Sequence, residues 1–447
     1  MGTIRKIHYG GYGLGDLANG LTFGMSSAFL LSFYTDVLGI SAAAAGTLFL
    51  VARIWDGIND PLMGNWTDRL FLRREKRNKG GDKFRPFLIR GSWPVALAAV
   101  LMFFVPEKLA RGHRLIWAYA TYISWGMCYT FVNIPYGSLA SVMTRDPVER
   151  SILSVARGIG GLAGMVIPRV AVPLVLVRFG QRQERGYLIS MSLISALVIL
   201  FYLLSWLFTA EDPACRSAHV TIQEKKGPPG LLKNRPFMAL SLASVALLTG
   251  LMINGAMNVY YFRENLGALK LMSYAGAGAV LPAIGASFLI PTLVKRFGAA
   301  KASAWSSLFS ALCWTGLLLL PSHRILYLAG GLGAYFFLMI PNMTVWALVS
   351  DCIDYQEELT GERREGTIYG AYSFVRKLGQ AAAGFLSGTG LALTGYTSEQ
   401  IVQPRTTLAG IKFLTLGIPA ICLLLSFFAF RFIWKRPGQS TPQGVTI

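Results

Sequence analysis

Charged residues are scarce in this chain. Asp, Glu, Lys and Arg make up 14% of its 447 residues, while hydrophobic residues make up 53%. A soluble domain carries about 25% charged residues. The shortage of charge, with a mean hydropathy of +0.48, excludes a soluble globular chain and indicates an integral membrane protein that crosses the bilayer many times.

Residue patterns for redox, metal and nucleotide chemistry are also missing. The five cysteines show no paired spacing, and the four histidines form neither an HxxH nor an HExxH pattern. These absences argue against a disulfide framework and a catalytic metal site. No GxxxxGK[ST] motif occurs, which excludes an ATP-driven pump of the P-loop kind. Since no nucleophile–base pair is found either, we expect neither an enzyme nor a bound cofactor.

Acidic residues are fewer than basic ones, 22 against 42, so the formal net charge is +20. In a soluble protein such an excess would suggest nucleic acid as a partner. Here the basic residues cluster in short links between apolar runs, as the positive-inside rule describes for cytoplasmic loops. We therefore expect a multi-pass protein of the cell (inner) membrane, in contact with lipid, with both termini in the cytoplasm and no nucleic-acid partner.

Twelve apolar runs are long enough to cross about 30 Å of hydrocarbon as helices. They lie near residues 12–38, 43–67, 86–105, 115–143, 151–179, 187–210, 236–263, 271–297, 300–320, 324–353, 366–395 and 407–434. The polar stretch 211–235 contains Gly-Pro-Pro-Gly and is the best candidate for a cytoplasmic linker. It separates six helices in residues 1–210 from six in residues 236–447. Two halves of six predict an all-α integral membrane protein with the major facilitator fold.

Acidic side chains interrupt the second run, which reads VARIWDGINDPLMGNWTDR over residues 51–69. Asp56 and Asp60 are four residues apart, with Asn59 beside them and Arg53 one turn earlier, so a helix presents all four on one face. Ionisable groups inside a bilayer cost several kcal/mol each. Two carboxylates and an amide oxygen predict a site for Na⁺ or H⁺. A structural Arg53–carboxylate pair is the alternative, although one Arg does not neutralise two carboxylates.

Several other runs contain polar or ionisable side chains. They are Asp16 in the first run, Tyr129, Thr130 and Asn133 in the fourth, Arg157 in the fifth, Trp346 in the tenth, and Tyr372, Arg376 and Lys377 in the eleventh. The guanidinium fork of an Arg suits a carboxylate or vicinal hydroxyls. Aromatic side chains with a hydroxyl or indole N–H suit sugar faces and edges, although helix packing is the alternative for each of them. The adjacent cations of the eleventh run need partners, such as an acidic side chain or a substrate anion.

Five stretches carry a resemblance to a known family. They are ARIWDGINDPLMG (52–64), KFRPFLI (83–89), WGMCYTFVNIPYGSL (125–139), the set Glu149, Arg150 and Arg157, and DCIDYQEELTGERREGTIYGAYSFVRKLGQ (351–380). Through them the whole chain resembles the glycoside–pentoside–hexuronide:cation symporter family of the major facilitator superfamily. NIPYGSLA, MTVWAL and SFVRKLGQA look most like the glucuronide carriers of that family.

The resemblance implies roles by position. It implies a cation site of Asp56, Asn59, Asp60 and Thr130, sugar contacts by Asp16, Tyr129, Arg157 and Lys377, and a cytoplasmic gate of Asp68, Arg69, Asp351, Asp354 and Arg363. To the expected substrate site we add Asn133, Trp346 and Tyr372.

Some positions depart from the family pattern. Asn133 stands where the best-studied family member has a sugar-binding aspartate, Gly137 where it has a tryptophan, and Gly15 where it has a lysine. The loss of an acid beside Arg157 and Lys377 makes the expected pocket more positive. We therefore predict an anionic sugar, such as a glucuronide, as the substrate.

The expected function is symport by alternating access. We expect a functional monomer that takes up a small glycoside, a glucuronide or related uronide, together with H⁺ or Na⁺. Neutralisation of the Asp56 and Asp60 pair by the cation would favour substrate binding. A neutral glycoside or pentoside, or a lysolipid or other amphiphile, remains the alternative cargo.

Overall fold

The computed structural model describes residues 6–75, 81–107, 109–144, 146–180, 183–212, 231–360, 365–400 and 402–434, without some side chains inside these ranges. In this part of the chain twelve long helical segments follow one another and no strand occurs. The segments are α1 Lys6–Ser32, α2 Ala42–Glu75, α3 Arg85–Met102, α4 Arg114–Met143, α5 Pro147–Phe179, α6 Gln183–Phe208, α7 Arg235–Asn265, α8 Leu271–Phe297, α9 Ala299–Leu319, α10 Arg324–Thr360, α11 Glu365–Leu393 and α12 Arg405–Ile433. The predicted all-α fold with about twelve membrane-length helices is confirmed.

The helices follow the apolar runs, with the largest differences at polar ends. By length and composition, seven of the helices within the described ranges could cross a membrane. Helix α2 continues to Glu75 and α10 to Thr360, beyond the ends predicted at 67 and 353. The added residues are mainly charged or polar, and the helix satisfies their backbone groups internally. A helix can therefore continue after the apolar pattern that reveals it has stopped.

Short π-helical turns interrupt the regular α-helix at several places. Residues Phe33–Val37 form such a turn directly after α1, and Tyr261–Asn265 form one at the end of α7. Two more, Phe413–Gly417 and Ala429–Ile433, lie within α12. Turns of this kind occur frequently at functional sites, and the first two position a charged cluster that is described in the Discussion.

The helices are organised into two compact units. Unit 1 contains the described residues of Met1–Ile222, Asn258–Ala277 and Gly388–Gln403, and unit 2 those of Gln223–Met257, Gly278–Ser387 and Pro404–Ile447. In unit 1, α1 packs on α5 and α6, α3 packs on α4 and α6, and α2 packs on α4. In unit 2, α9 packs on α10 and α12, and α8 packs on α10. The division into 1–210, a linker 211–235 and 236–447 stays a prediction.

The start of α3 is capped by a residue that lies far away in the sequence. The Glu211 carboxylate accepts backbone hydrogen bonds from Lys83, Phe84 and Arg85 at 2.6, 2.7 and 2.9 Å. The first N–H groups of a helix have no partner within the helix. A negative charge there also interacts favourably with the positive end of the helix dipole. Glu211, which is 6% exposed, thereby joins the chain after α6 to the first turn of α3.

Candidate cation and substrate sites

The acidic face of α2 packs against α4 in unit 1. The Thr130 hydroxyl donates a hydrogen bond to Asp60 Oδ1 at 3.0 Å. One turn earlier on α4 is Gly126, where an added Cβ would lie 3.1 Å from Asp56 Oδ1. The absence of a side chain at Gly126 therefore lets the Asp56 carboxylate approach the α4 backbone. The predicted cation residues of α2 and α4 are brought together as two neighbouring carboxylates with a hydroxyl.

Arg53 pairs with only one of these carboxylates. Its Nη1 lies 2.9 Å from Asp56 Oδ2, and both side chains are 15% exposed. The guanidinium also lies over the ring of Phe23, 5.2 Å from its centroid. Summed over Arg53, Asp56 and Asp60, the formal charge is −1, so a bound monovalent cation brings this cluster to neutrality.

Asn59 completes the oxygen donors of this face. Its side chain is 7% exposed, and its Nδ2 has no hydrogen-bond partner among the described residues. A buried amide group without a partner costs about 1–3 kcal/mol. Rotation of the amide exchanges its oxygen and nitrogen, so Asn59 can present a carbonyl oxygen at the same place. Carboxylate, amide and hydroxyl oxygens are the donors that a hard cation such as Na⁺ prefers.

The predicted sugar residues Asp16 and Arg157 form a second ion pair in unit 1. Arg157 Nε lies 3.4 Å from Asp16 Oδ1, and the Arg157 side chain is 38% exposed. Asn19 Nδ2 donates to the same carboxylate oxygen at 3.5 Å, and Asn19 Oδ1 accepts a 2.6 Å hydrogen bond from the Tyr202 hydroxyl. Helices α1, α5 and α6 thus hold one carboxylate and one partly exposed guanidinium in a fixed arrangement.

Small residues let α1 and α5 approach closely enough to form this pair. A Cβ added at Gly160 would collide with the carbonyl oxygen of Gly13, and one added at Gly161 would lie 2.5 Å from Asp16 Oδ2. At Gly158, by contrast, an added Cβ would meet nothing within 4 Å. Glycine at position 160 is therefore required by the backbone contact, in line with the packing role of small residues in membrane helices, whereas a side chain at position 161 would displace the Asp16 carboxylate.

Tyr136 supports Arg157 from the buried side and was missed by the sequence reasoning. The Arg157 guanidinium lies 5.4 Å from the centroid of its ring, and the Tyr136 hydroxyl donates to the Tyr12 carbonyl oxygen at 2.6 Å. The ring occupies the space into which a side chain at Gly15 would project. An added Cβ at Gly137 would lie 3.5 Å from Arg157 Nη1. Of the departures from the family pattern, Gly15 therefore borders the Tyr136 ring and Gly137 borders the guanidinium that lies over it.

Tyr129 lies near residues of both ion pairs. Its phenol group interacts electrostatically with Asp16, Arg157, Arg53 and Asp60, and its ring contacts Trp125 at 5.4 Å. The Tyr129 hydroxyl forms no hydrogen bond with the described part of the chain and is half-buried.

Asn133, one turn further along α4, has a half-buried side chain. Its amide forms no hydrogen bond with the side chains or backbone that the structure describes. Tyr129 and Asn133 thus retain hydrogen-bonding groups that a polar ligand can use.

Unit 2 contains a separate cluster of predicted residues. The rings of Trp346 and Tyr372 are 5.7 Å apart at 79°, and the Arg376 guanidinium lies 5.7 Å from the Trp346 centroid. The Tyr372 hydroxyl is 3.0 Å from Ser244 Oγ. Tyr372 is 1% exposed and Trp346 is 47% exposed, so the tyrosine supports the cluster and the tryptophan presents its surface.

The remaining predicted residues fall into two groups. Lys377, Asp351 and Asp354 are half-buried in unit 2. The side chains of Asp68 and Arg69, and all of Arg363, lie outside the described residues. The roles predicted for all these residues stay predictions.

A bundle of twelve membrane-length helices that carries ion pairs within a compact unit is the architecture of a major facilitator transporter. The crystal structure of a D-xylose–proton symporter has the same fold, with a TM-score of 0.70 at 13% identity, and the match covers 96% of this chain and 98% of that one. The sequence profile described as "MFS/sugar transport protein" matches residues 11–434. The chain belongs to this sugar transport family.

Individual relatives match along nearly the whole chain. The symporter YjmB of Bacillus subtilis (strain 168) is 38% identical, over 97% of this chain and 93% of the relative. A glucuronide carrier protein homolog of Escherichia coli (strain K12) is 32% identical, over 96% of this chain and 91% of the relative. The resemblance to cation-coupled sugar symporters, predicted from the motifs, is confirmed. The chain is therefore a membrane transport protein of a sugar symporter family, whose substrates are small molecules.

Proposed function

We propose that this protein takes up an anionic glycoside, a glucuronide or related uronide, by symport with H⁺ or Na⁺. The observation that carries the proposal is that one compact unit holds both the Asp16–Arg157 pair and the acidic face of α2, where Thr130 donates to Asp60 at 3.0 Å. Charges held within one unit influence each other directly. The relationship to a glucuronide carrier homolog supports the substrate class.

Coupling follows from the charges of the two clusters. A cation bound by Asp56 and Asp60 removes the net negative charge of their cluster, which lowers the electrostatic penalty for bringing a carboxylate into the unit. By linkage, the cation tightens substrate binding and the substrate tightens cation binding by the same factor. Binding of both then permits the change of access that transports them together.

An acidic substrate suits the sugar side of the unit. Asn133 offers an amide where an aspartate would repel a carboxylate, and the partly exposed guanidinium of Arg157 adds positive charge to the same unit. Neutral hydroxyls of the sugar suit the Asp16 carboxylate and the Tyr129 hydroxyl. On the basis of its loop charges we place the protein in the inner membrane with both termini in the cytoplasm, and we propose that it functions as a monomer.

Uptake by the purified protein in liposomes tests this function. We expect concentrative uptake of p-nitrophenyl glucuronide under an inward Na⁺ gradient or an acid-outside pH gradient, and much weaker uptake of p-nitrophenyl glucoside. Equal uptake of the two glycosides would overturn the preference for an anion. Uptake that responds to neither gradient would overturn symport, and uptake of lysolipid in place of both sugars would favour an amphiphile carrier.

A further inference from the structure

Arg376 lies near the middle of a membrane-length helix. It follows the first residue of α11, Glu365, by 11 positions and precedes the last, Leu393, by 17. At 1.5 Å per residue these separations are about 16 Å and 26 Å. The apolar run 366–395 predicts that this helix crosses the membrane, and an ionised group so far from both ends of a spanning helix costs several kcal/mol unless it has a partner or faces water.

No acidic partner for Arg376 is found among the described residues. Arg53, Arg157 and Arg263 each have a carboxylate oxygen within 3.4 Å, whereas Arg376 forms neither an ion pair nor a hydrogen bond with the part of the chain described. Its contact is the cation–π interaction with Trp346 at 5.7 Å. Such a contact contributes about 0.5–2 kcal/mol and uses none of the N–H groups of this half-buried guanidinium.

Trp346 is held as a rigid, accessible surface beside this guanidinium. Its indole is 47% exposed, and the ring of Tyr372 packs against it nearly perpendicularly at 5.7 Å. Tyr372 is fixed in turn by Ser244, which is 2% exposed and lies 3.0 Å from the tyrosine hydroxyl. An exposed indole with a fixed neighbour suits the apolar face of a sugar ring.

The two groups together match an acidic sugar. A sugar ring placed on the indole brings an attached carboxylate to the guanidinium, whose planar fork binds carboxylates through two parallel hydrogen bonds. Arg157 is less suited to this task, because Asp16 already neutralises it at 3.4 Å.

We propose that Arg376, held over Trp346, binds the acid group of the substrate and sets the preference for anionic over neutral glycosides. This inference rests on the proposed function and deepens it.

Transport of two glycosides by three variants tests the assignment. Arg376→Gln removes the charge and should raise the KM for p-nitrophenyl glucuronide about ten- to hundredfold, while the KM for p-nitrophenyl glucoside changes by less than about threefold. Arg376→Lys keeps the charge without the fork and should lie between wild type and Arg376→Gln. Arg405→Gln changes an exposed arginine at the start of α12 and should leave both KM values unchanged.

The outcomes separate this inference from the proposed function. If Arg376→Gln takes up the glucuronide with the KM of wild type, the role of Arg376 is overturned and the proposed function still stands. An equal rise of both KM values would also overturn it, since that is the result of a structural role. Wild-type liposomes that take up only the neutral glycoside would overturn the anionic substrate itself. Thermal unfolding of each variant in detergent establishes that it is folded.

Discussion

Arg263 Nη1 donates a hydrogen bond to Asp36 Oδ2 at 2.7 Å, although 227 positions separate the two residues. The Tyr396 hydroxyl accepts from Arg263 Nη2 at 2.5 Å and donates to Asp36 Oδ1 at 3.0 Å. Ser32 and Thr35 add hydrogen bonds to the same carboxylate at 2.9 and 2.8 Å. Within unit 1 this cluster joins the ends of α1 and α7 and the segment after α11. These ends belong to the two predicted halves, which alternating access requires to separate in one state.

The Asp36–Arg263 contact predicts non-additive effects of substitution. Asp36→Asn and Arg263→Gln should each lower the apparent unfolding temperature in detergent. Arg263→Gln leaves the 7% exposed Asp36 carboxylate without its cation, and Asp36→Asn leaves Arg263 with Glu264 as its remaining acidic partner. The double variant should lower it by less than the sum, with a coupling free energy of about 0.5–3 kcal/mol. Glu399→Gln, at an exposed position in the loop after α11, is the control. Strictly additive effects would show that the contact contributes nothing.

Tyr396 predicts how this cluster responds to pH. Burial, followed by the negative charge of Asp36, raises the pKa of the Tyr396 phenol above its ordinary value near 10. A group with a raised folded-state pKa contributes stability that is fully present below its unfolded pKa and is lost as pH rises through the folded value. The difference in unfolding temperature between wild type and Tyr396→Phe should therefore be constant from about pH 7 to about pH 9 and shrink above about pH 10. A difference that shrinks already near neutral pH would contradict the assignment.

The α1–α5 contact predicts opposite results for neighbouring glycines. Gly161→Ala should displace Asp16 from Arg157, because the new Cβ would lie 2.5 Å from the carboxylate. We expect a loss of about 1–3 kcal/mol in stability and a raised KM for the transported glycoside. Gly158→Ala has open space at the new Cβ and should be neutral or stabilising by up to about 1 kcal/mol. Equal behaviour of the two variants in unfolding and transport assays would contradict the close packing.

The cap on α3 predicts a stability effect at a residue outside the transport sites. Glu211→Ala leaves three backbone N–H groups without their acceptor and should reduce the free energy of unfolding by at least about 1–3 kcal/mol. Glu211→Gln keeps an acceptor oxygen but loses the charge, so it should lie between Ala and wild type. Glu107→Ala, at an exposed loop position, is the matched control. Unfolding temperatures in detergent measure the series. A Glu211→Ala value equal to that of Glu107→Ala would show that the Glu211 cap does not stabilise the protein.

The sequence predicts this fold well because each membrane helix corresponds to one long apolar run in the sequence. The start of α2 was predicted at 43 and is found at Ala42. The Arg53–Asp56 pair could be predicted for the same reason, since the two residues are three positions apart on one helix. Contacts between distant segments leave no periodic signal, so the roles of Glu211, Tyr136 and Arg263 could not be predicted from local pattern. Arg376 was recognised as a cation that needs a partner, but its position over Trp346 required the fold.

Asp56 on α2 can serve either to neutralise Arg53 or to bind the cation, and substitutions at both positions separate these two roles. We expect Asp56→Asn alone to abolish gradient-driven uptake. If Asp56 serves only to neutralise Arg53, the double variant Arg53→Gln/Asp56→Asn, which lacks both charges, should restore that uptake. If Asp56 is a cation ligand, as we predict, the double variant stays uncoupled, because the bound cation has still lost a carboxylate. Asp60→Asn should be uncoupled in either case, with its remaining Thr130 hydrogen bond unable to replace the charge. Counterflow, in which labelled glycoside enters against unlabelled glycoside without a gradient, should persist in all three variants and shows that substrate binding and the change of access remain intact.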